Sequence, residues 1–318
     1  MNTFYQKTLF LFIGVFIVFS ASAQLSGTYT IDASKSGTKN YKTFKAAVGD
    51  LNRFGVNGAV RFKVANDVYN ESVLFNYVSG ASATNTITFE GTDSSKAILS
   101  YACSQYEAVV KFNAASHFAF KNMTILSTGA TTGYGIHVTS GAENISLSNC
   151  VIKTADGIVG ADCIPVNIAG ATYASVGNNG QNIRISNSII SGGYFGINIR
   201  GANSSLLSKK FLFDQVEIKK QYVYGVYATF AEDIELTNSS IDSTGIYYAY
   251  GVYTSQCSGG QFSNNKIYVG RYAMYLSLHN YYNRSDSVVI PFWSKVNLTK
   301  RDNLSVLNFE CLFKIILE

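Results

Sequence analysis

Six segments of this chain repeat one short pattern, in which two alternating apolar residues lead to a side-chain amide and an isoleucine follows three residues later. They are FAFKNMTI (118–125), ISLSNCVI (145–152), IRISNSII (183–190), FLFDQVEI (211–218), IELTNSSI (234–241) and GQFSNNKI (260–267). The amides are Asn122, Asn149, Asn187, Gln215, Asn238 and Asn264, at separations of 27, 38, 28, 23 and 26 residues. A period in this range marks a solenoid, a chain that buries its apolar faces only by stacking coil on coil.

A second pattern lies between the amides: GIHV (135–138), PVNI (165–168), GINI (196–199), GVYA (225–228), GVYT (251–254) and AMYL (273–276). Its second and fourth residues are mostly apolar and its third is polar or aromatic, the alternation of a strand with one face inward. Each coil therefore holds at least two short strands, and the Ile after the amide marks a third on a new face. Such coils stack about 4.8 Å apart into continuous parallel sheets. The fold class is all-β, a right-handed parallel β-helix with a short N-terminal capping helix. At the bend, a buried amide is expected to bond to its counterparts one coil above and below, an asparagine ladder. A β-sandwich has no fixed amide column, and a propeller blade needs four strands in roughly 40 residues.

Three segments follow from the ends of the pattern. In residues 1–23, Lys7 precedes an apolar run from Leu9 to Phe19 and the small residues of SASAQ, which reads as a signal peptide cleaved after Ala23. The run is shorter than the roughly 20 residues of a membrane span, and no later stretch is longer, so no span is expected once the leader is removed. The β-helix is expected over 24–290, and 291–318 reads as an irregular tail, either a truncated end or an unusual cap. This implies a secreted or cell-surface location. The formal net charge is only +5, without a Lys/Arg run, which argues against nucleic acid as a partner. Five cysteines without a CxxC and three dispersed histidines predict no metal site, and no cofactor is expected.

Ahead of the repeats, NYKTFKAAVGDLNRFG (40–55) places Phe44, Ala47, Val48 and Leu51 at helical spacing, with Gly55 as a stop. A helix over about 42–53 would cover the open edges of the first coil. Together, YKTFKAAV, VRFKVANDVYNESV and the turn Tyr69-Asn70-Glu71 resemble the opening of pectin-lyase-like β-helix proteins, in particular secreted bacterial β-helix repeat proteins. With the amide column, the resemblance covers roughly residues 25–285 and implies the fold rather than an activity.

Enzymes of that superfamily imply motifs that can be sought here. A lyase needs clustered acids for calcium and a base, and no such cluster stands on one face. Polygalacturonases pair aspartates with a His and an Arg-x-Lys signature, which RIS (184–186) does not supply. The segment DGIVG (156–160) resembles an esterase element without its partner motifs, so Asp156 reads as a turn residue. Three charged residues, Arg184, Asp214 and Glu235, fall at outward positions on successive coils. Asp214 and Glu235 are expected on the order of 8 Å apart, a gap that suits an inverting glycosidase, or simply a charge pair on a solvated sheet.

The third position of the second pattern reads His137, Asn167, Asn198, Tyr227, Tyr253, Tyr275. A row of exposed phenol rings offers flat apolar faces and hydroxyl rims to sugar rings, although neighbouring rings can equally serve as a stabilising ladder. Tyr227, Tyr253, Tyr275 and Asn198 are therefore the glycan-binding candidates, and the partner is a polysaccharide or cell-surface glycan. The functional expectation is a module that binds polysaccharide or mediates adhesion. A polysaccharide lyase or glycoside hydrolase, and a structural spacer of a longer surface protein, are the alternatives.

Overall fold

The computed structural model describes residues 24–243 and 249–277, with the backbone of two further short strands, Val288–Val289 and Lys295–Thr299. The segment 1–23, expected to be a leader, and most of 291–318, expected to be a tail, lie outside the described residues. Two parallel sheets, one of 17 strands and one of nine, wind together as a right-handed parallel β-helix. The larger sheet takes the segments on either side of the amide, which run as one twelve-residue strand in Gly180–Ser191 and Ser208–Lys219 and as two strands in the other amide-bearing coils, and the smaller sheet takes one strand from each coil.

Alternation along each strand builds the core as columns of like residues. Phe62, Phe89, Phe120, Leu147, Ile185, Phe213 and Leu236 pair in succession along the larger sheet. The isoleucines three residues after each amide form another column, Ile125, Ile152, Ile190, Ile218, Ile241 and Ile267. All are buried. The nine-stranded sheet adds Ile136, Val166, Ile197, Val226, Val252 and Met274. A single column spread over many coils lets each side chain contact its equivalents above and below, so burial grows with every coil.

The helix spans Phe44–Phe54, within two residues of expectation, and buries Phe44, Ala47, Val48 and Leu51. Thr43 caps it by accepting from the Ala46 amide at 3.1 Å, and Gly55 ends it at φ 70°. Glu71 reaches in from the Tyr69-Asn70-Glu71 turn, and its carboxylate accepts from the backbone N–H groups of Phe44 and Lys45 at 3.1 and 2.8 Å. An anion at a helix N-terminus satisfies donors that have no partner within the helix. Tyr69 donates from its hydroxyl to the Ile31 carbonyl at 2.9 Å. This turn therefore fastens the helix to the first coils.

The amide column corrects one expectation. Its members do sit at one bend of each coil, but Asn149, Asn187, Gln215, Asn238 and Asn264 are exposed and Asn122 is half-buried. All six have positive φ, between 48° and 55°. Asn tolerates this left-handed conformation because its short polar side chain is little hindered there. Side-chain bonds join two neighbouring pairs, Asn149 to Asn122 and Asn264 to Asn238, each at 3.2 Å, while Asn238 also donates to Asp214. The inward position is the next residue. There Ser188 and Ser239 accept from the backbone N–H of Cys150 and Val216 at 3.0 Å, and Asn265 accepts from that of Ser239 at 2.9 Å. The amide turns the chain, and its neighbour satisfies the buried bend.

Candidate functional site

The nine-stranded sheet presents an outer face that begins with a packing constraint. In the strands Phe195–Arg200, Tyr224–Thr229 and Tyr250–Ser255 the second residue is glycine. A Cβ at Gly225 would meet the Gly251 carbonyl oxygen and Ile241 Cγ2, both at 2.5 Å. Two inward positions thus follow one another, the glycine and the valine or isoleucine after it, and the residues before and after this pair both face out.

Two outward columns result. The third position of the second pattern runs in register as expected, His137, Asn167, Asn198, Tyr227, Tyr253, Tyr275. Beside it stand Phe195, Tyr224, Tyr250 and Tyr272. This second column was not among the expected site residues, although its signal is present as an aromatic residue before each glycine or its alanine equivalent. Tyr227 stacks on Tyr253 at 4.9 Å and 8°, and Tyr253 on Tyr275 at 4.9 Å and 2°. The companion column stacks at 5.1–5.4 Å, from Phe195 to Tyr224, Tyr250 and Tyr272, and the two meet edge to face at Tyr224–Tyr227 and Tyr250–Tyr253.

This geometry changes what the tyrosines offer. Their ring faces are turned along the solenoid axis toward each other, and the Arg200 guanidinium lies 4.1 Å from the centre of the Tyr227 ring. Both faces of Tyr227 and Tyr253 and one face of Tyr275 are therefore occupied, and the outward edges with their hydroxyls remain. Among the described residues Tyr41 and Tyr69 donate from their hydroxyls to protein atoms, whereas no such bond holds the hydroxyl of Tyr227, Tyr253 or Tyr275. Burial raises the ionisation of Tyr253 and Tyr224 above the ordinary phenol value, so these two hydroxyls are neutral O–H groups at physiological pH. No strand of this sheet carries Asp or Glu. Arg271 stands 5.4 Å from the rings of both Tyr250 and Tyr272. On the larger sheet, by contrast, charges pair across coils, as in Arg61–Glu90 and Lys209–Glu232.

Asn198, expected at the foot of the tyrosine row, does stand in that column but is covered. The 38-residue coil carries two insertions, 155–162 and 169–179, on either side of the strand Cys163–Ile168. The second folds over the outer face as a strap. His137 shares Nε2 with the Ala169 and Gly170 carbonyls at 3.1 and 2.8 Å, and Asn198 donates to the Tyr173 carbonyl at 2.8 Å and to Asn167 Oδ1 at 2.7 Å. Arg200 donates from Nε to the same Tyr173 carbonyl and to Asn198 Oδ1.

The acidic candidates stand apart from this face, on the larger sheet. Asp214 accepts from Thr237 Oγ1 at 2.6 Å, Asn238 Nδ2 at 2.8 Å and Gln215 Nε2 at 3.3 Å. These bonds, that of Thr237 foremost, hold its carboxyl below the usual aspartate range, the opposite of a general acid. Glu235 pairs in register with Leu212, and Leu212 in turn with Arg184, so an apolar residue separates the two charges. Arg184 donates to Asn182 at 3.4 Å. Among the described residues no hydrogen bond or ion pair joins Arg184, Asp214 and Glu235 to one another. Among the described residues no three His, Cys, Asp or Glu side chains gather as a metal site, and no helix is long and apolar enough to cross a membrane.

Neither a protein-family model nor a curated protein matches the sequence. Solved structures do match. The GH136 lacto-N-biosidase from Eubacterium ramulus is similar at TM-score 0.52 and 12% identity over 80% of this chain and 55% of its own, so the chain spans about half its length. A pectin methylesterase in complex with a hexasaccharide is similar at TM-score 0.49 and 10% identity, covering 86% of this chain and 94% of its own. The pectin methylesterase from carrot follows at TM-score 0.46 and 13% identity, covering 81% and 84%. The fold of this chain is a right-handed parallel β-helix.

Proposed function

We propose that this protein is an exported module that binds a polysaccharide or cell-surface glycan along the outer face of its nine-stranded sheet. The observation that carries the reading is the in-register column Tyr227, Tyr253, Tyr275, whose rings are fixed at 4.9 Å spacing with outward hydroxyls that bond to no protein group among the described residues. Contacts on both faces of Tyr227 and Tyr253, and on one face of Tyr275, hold the rings in place before a ligand arrives, so little side-chain entropy is lost on binding. The hydroxyls both donate and accept, which matches sugar hydroxyls, and the ring edges supply apolar contact beside them. Arg200 and Arg271 add donors at this face. A repeating polymer suits a repeating surface, since each coil presents the same group one rise further on.

The fold by itself selects no function, so the test addresses the face. The secreted chain and a Tyr227/Tyr253/Tyr275 triple alanine variant are applied to a polysaccharide array. Wild type is expected to retain a defined set of glycans, and the variant to lose them by tenfold or more, about 1.4 kcal/mol. A wild-type protein that retains none, or a variant that binds as well, overturns the reading.

A further inference from the structure

The column that ends in three tyrosines begins with His137, Asn167 and Asn198, and the 169–179 strap leaves all three 0% exposed. Two polar atoms of these three side chains have no hydrogen-bond partner among the described residues, His137 Nδ1 and Asn167 Nδ2. The two carbonyls at His137 Nε2 require that nitrogen to carry the proton, so Nδ1 is a lone-pair acceptor, while Asn167 Nδ2 is a donor. A buried acceptor and a buried donor left unsatisfied both disfavour the closed arrangement. A hydroxyl, which donates and accepts at once, supplies what each lacks.

The strap is also a unit in itself. Gly170 donates to the Ser175 carbonyl at 2.8 Å, Ser175 to that of Thr172 at 3.1 Å, and the Thr172 and Ser175 hydroxyls bond at 2.8 Å. Its outer residues Ala171, Ala174 and Val176 are exposed. Its one ring, Tyr173, reaches back to within 5.9 Å of Phe195. Gly170 and Gly177 bracket this turn, one at each end.

We infer that the strap is a hinged cover, and that lifting it exposes His137, Asn167 and Asn198 as a second subsite for sugar hydroxyls, continuous with Tyr227. The opened track runs through six side chains over about 24 Å, from five coil rises. The identity of the ligand rests on the glycan reading of the tyrosine face, whereas the opening does not.

Carbethoxylation of His137 by diethyl pyrocarbonate at pH 7, read by peptide mass spectrometry on the full chain, tests the opening, with half-buried His117 as reference. Burial holds the His137 imidazole neutral down to about 4, so access alone limits its reaction. A cover that opens locally gives a rate insensitive to urea well below the unfolding midpoint. A rate that instead rises with the full denaturant dependence of unfolding overturns the inference. Tyr173→Ala is expected to speed the reaction about three- to tenfold, the range of one aromatic contact, and Tyr173→Phe to leave it unchanged.

For the ligand, the probes are oligomers of xylan, mannan, chitin and alginate. One that wild type retains is expected to slow His137 labelling, and Asn167→Ala to weaken long oligomers more than short ones. Binding without any effect on His137 overturns the subsite and leaves the tyrosine face standing. Binding of none overturns the glycan reading, and with it the subsite's ligand, while the labelling still decides whether the cover opens.

Discussion

In the first coils the stacked rings are inside the solenoid. Phe62, Phe89 and Phe120 stand in register with centroids 4.7 and 5.0 Å apart, beside Phe75 and Phe112 at 5.2 Å. In the last coils the inner positions hold mostly valine, isoleucine, leucine and methionine, with Phe262 as an inner ring, and the rings that stack in register from coil to coil are tyrosines on the outside. The spacing is the same in both places because the coil rise sets it. The chemistry differs at one atom, since the inner rings have no polar group to satisfy and the outer ones carry a hydroxyl that faces solvent. A ring stacked inside replaces water with protein on every side. A ring stacked outside gains contact on its two faces and keeps its rim free for a partner.

The sharpest way to break this comparison is to remove one ring from each stack. Phe89 is fully buried and touches Phe44, Phe62, Phe75 and Phe120. Phe89→Ala is expected to lower stability by about 3–5 kcal/mol, because it removes apolar burial and leaves a cavity. Tyr253→Ala opens onto solvent and is expected to cost about 1–2 kcal/mol, the worth of its two stacking contacts. Urea unfolding of both variants checks this. Equal losses would make the outer column a structural support like the inner one.

A second effect separates the covered part of the outer face from the open part. Under the strap, His137 titrates about 4 in the folded chain, through desolvation first and the neighbouring Lys111 charge next. The unfolded chain takes up that proton near 6.5. Stability is therefore full above about 6.5 and falls as pH drops toward 4, by on the order of 3 kcal/mol. Asp32, held at about 2 by Ser34 and Lys35, starts to lose its contribution only as pH nears the unfolded value of 3.8, at the foot of this window. Unfolding free energy measured from pH 7 to 4 is expected to show this slope in wild type and to lose it in His137→Asn.

These contrasts also show what a sequence reveals. Period and alternation assign every residue to a coil, a column and a side, and the isoleucine columns, the helix from Phe44 and the order of His137 through Tyr275 were legible on that basis. Alternation says which side a residue faces but not which way its ring turns, so the occupied faces of Tyr227, Tyr253 and Tyr275 could not be read from it. The 38-residue spacing signals extra chain but not where that chain folds, and Asn198 is buried for that reason. Asp214 fails as an acid because Thr237 and Asn238, one coil on, donate to it, a contact between residues whose spacing was known but whose rotamers were not.

At the coil bend the comparison becomes one between adjacent residues, the inward and the outward. Asn265 is 1% exposed and accepts from the Ser239 N–H while donating to the Leu236 carbonyl at 2.6 Å. Asn265→Ala leaves both groups buried and unpaired, and an unfolding loss of about 1–3 kcal/mol is expected. A loss near zero would mean that water enters the bend and that the inward column is dispensable.

The outward amide is expected to matter less, and for a different reason. Asn187 is exposed at φ 48°, and no side-chain hydrogen bond holds it among the described residues. If its role is to adopt the left-handed turn, glycine should replace it with little change, whereas alanine, hindered by its Cβ, should cost about 1 kcal/mol. If side-chain bonding along the column were the stabilising element, glycine and alanine would cost the same, because both delete the amide. Thermal unfolding of Asn187→Gly and Asn187→Ala therefore separates backbone conformation from ladder bonding at one position. The ordering glycine above alanine would assign the repeated amide to the bend of the chain rather than to contact between coils.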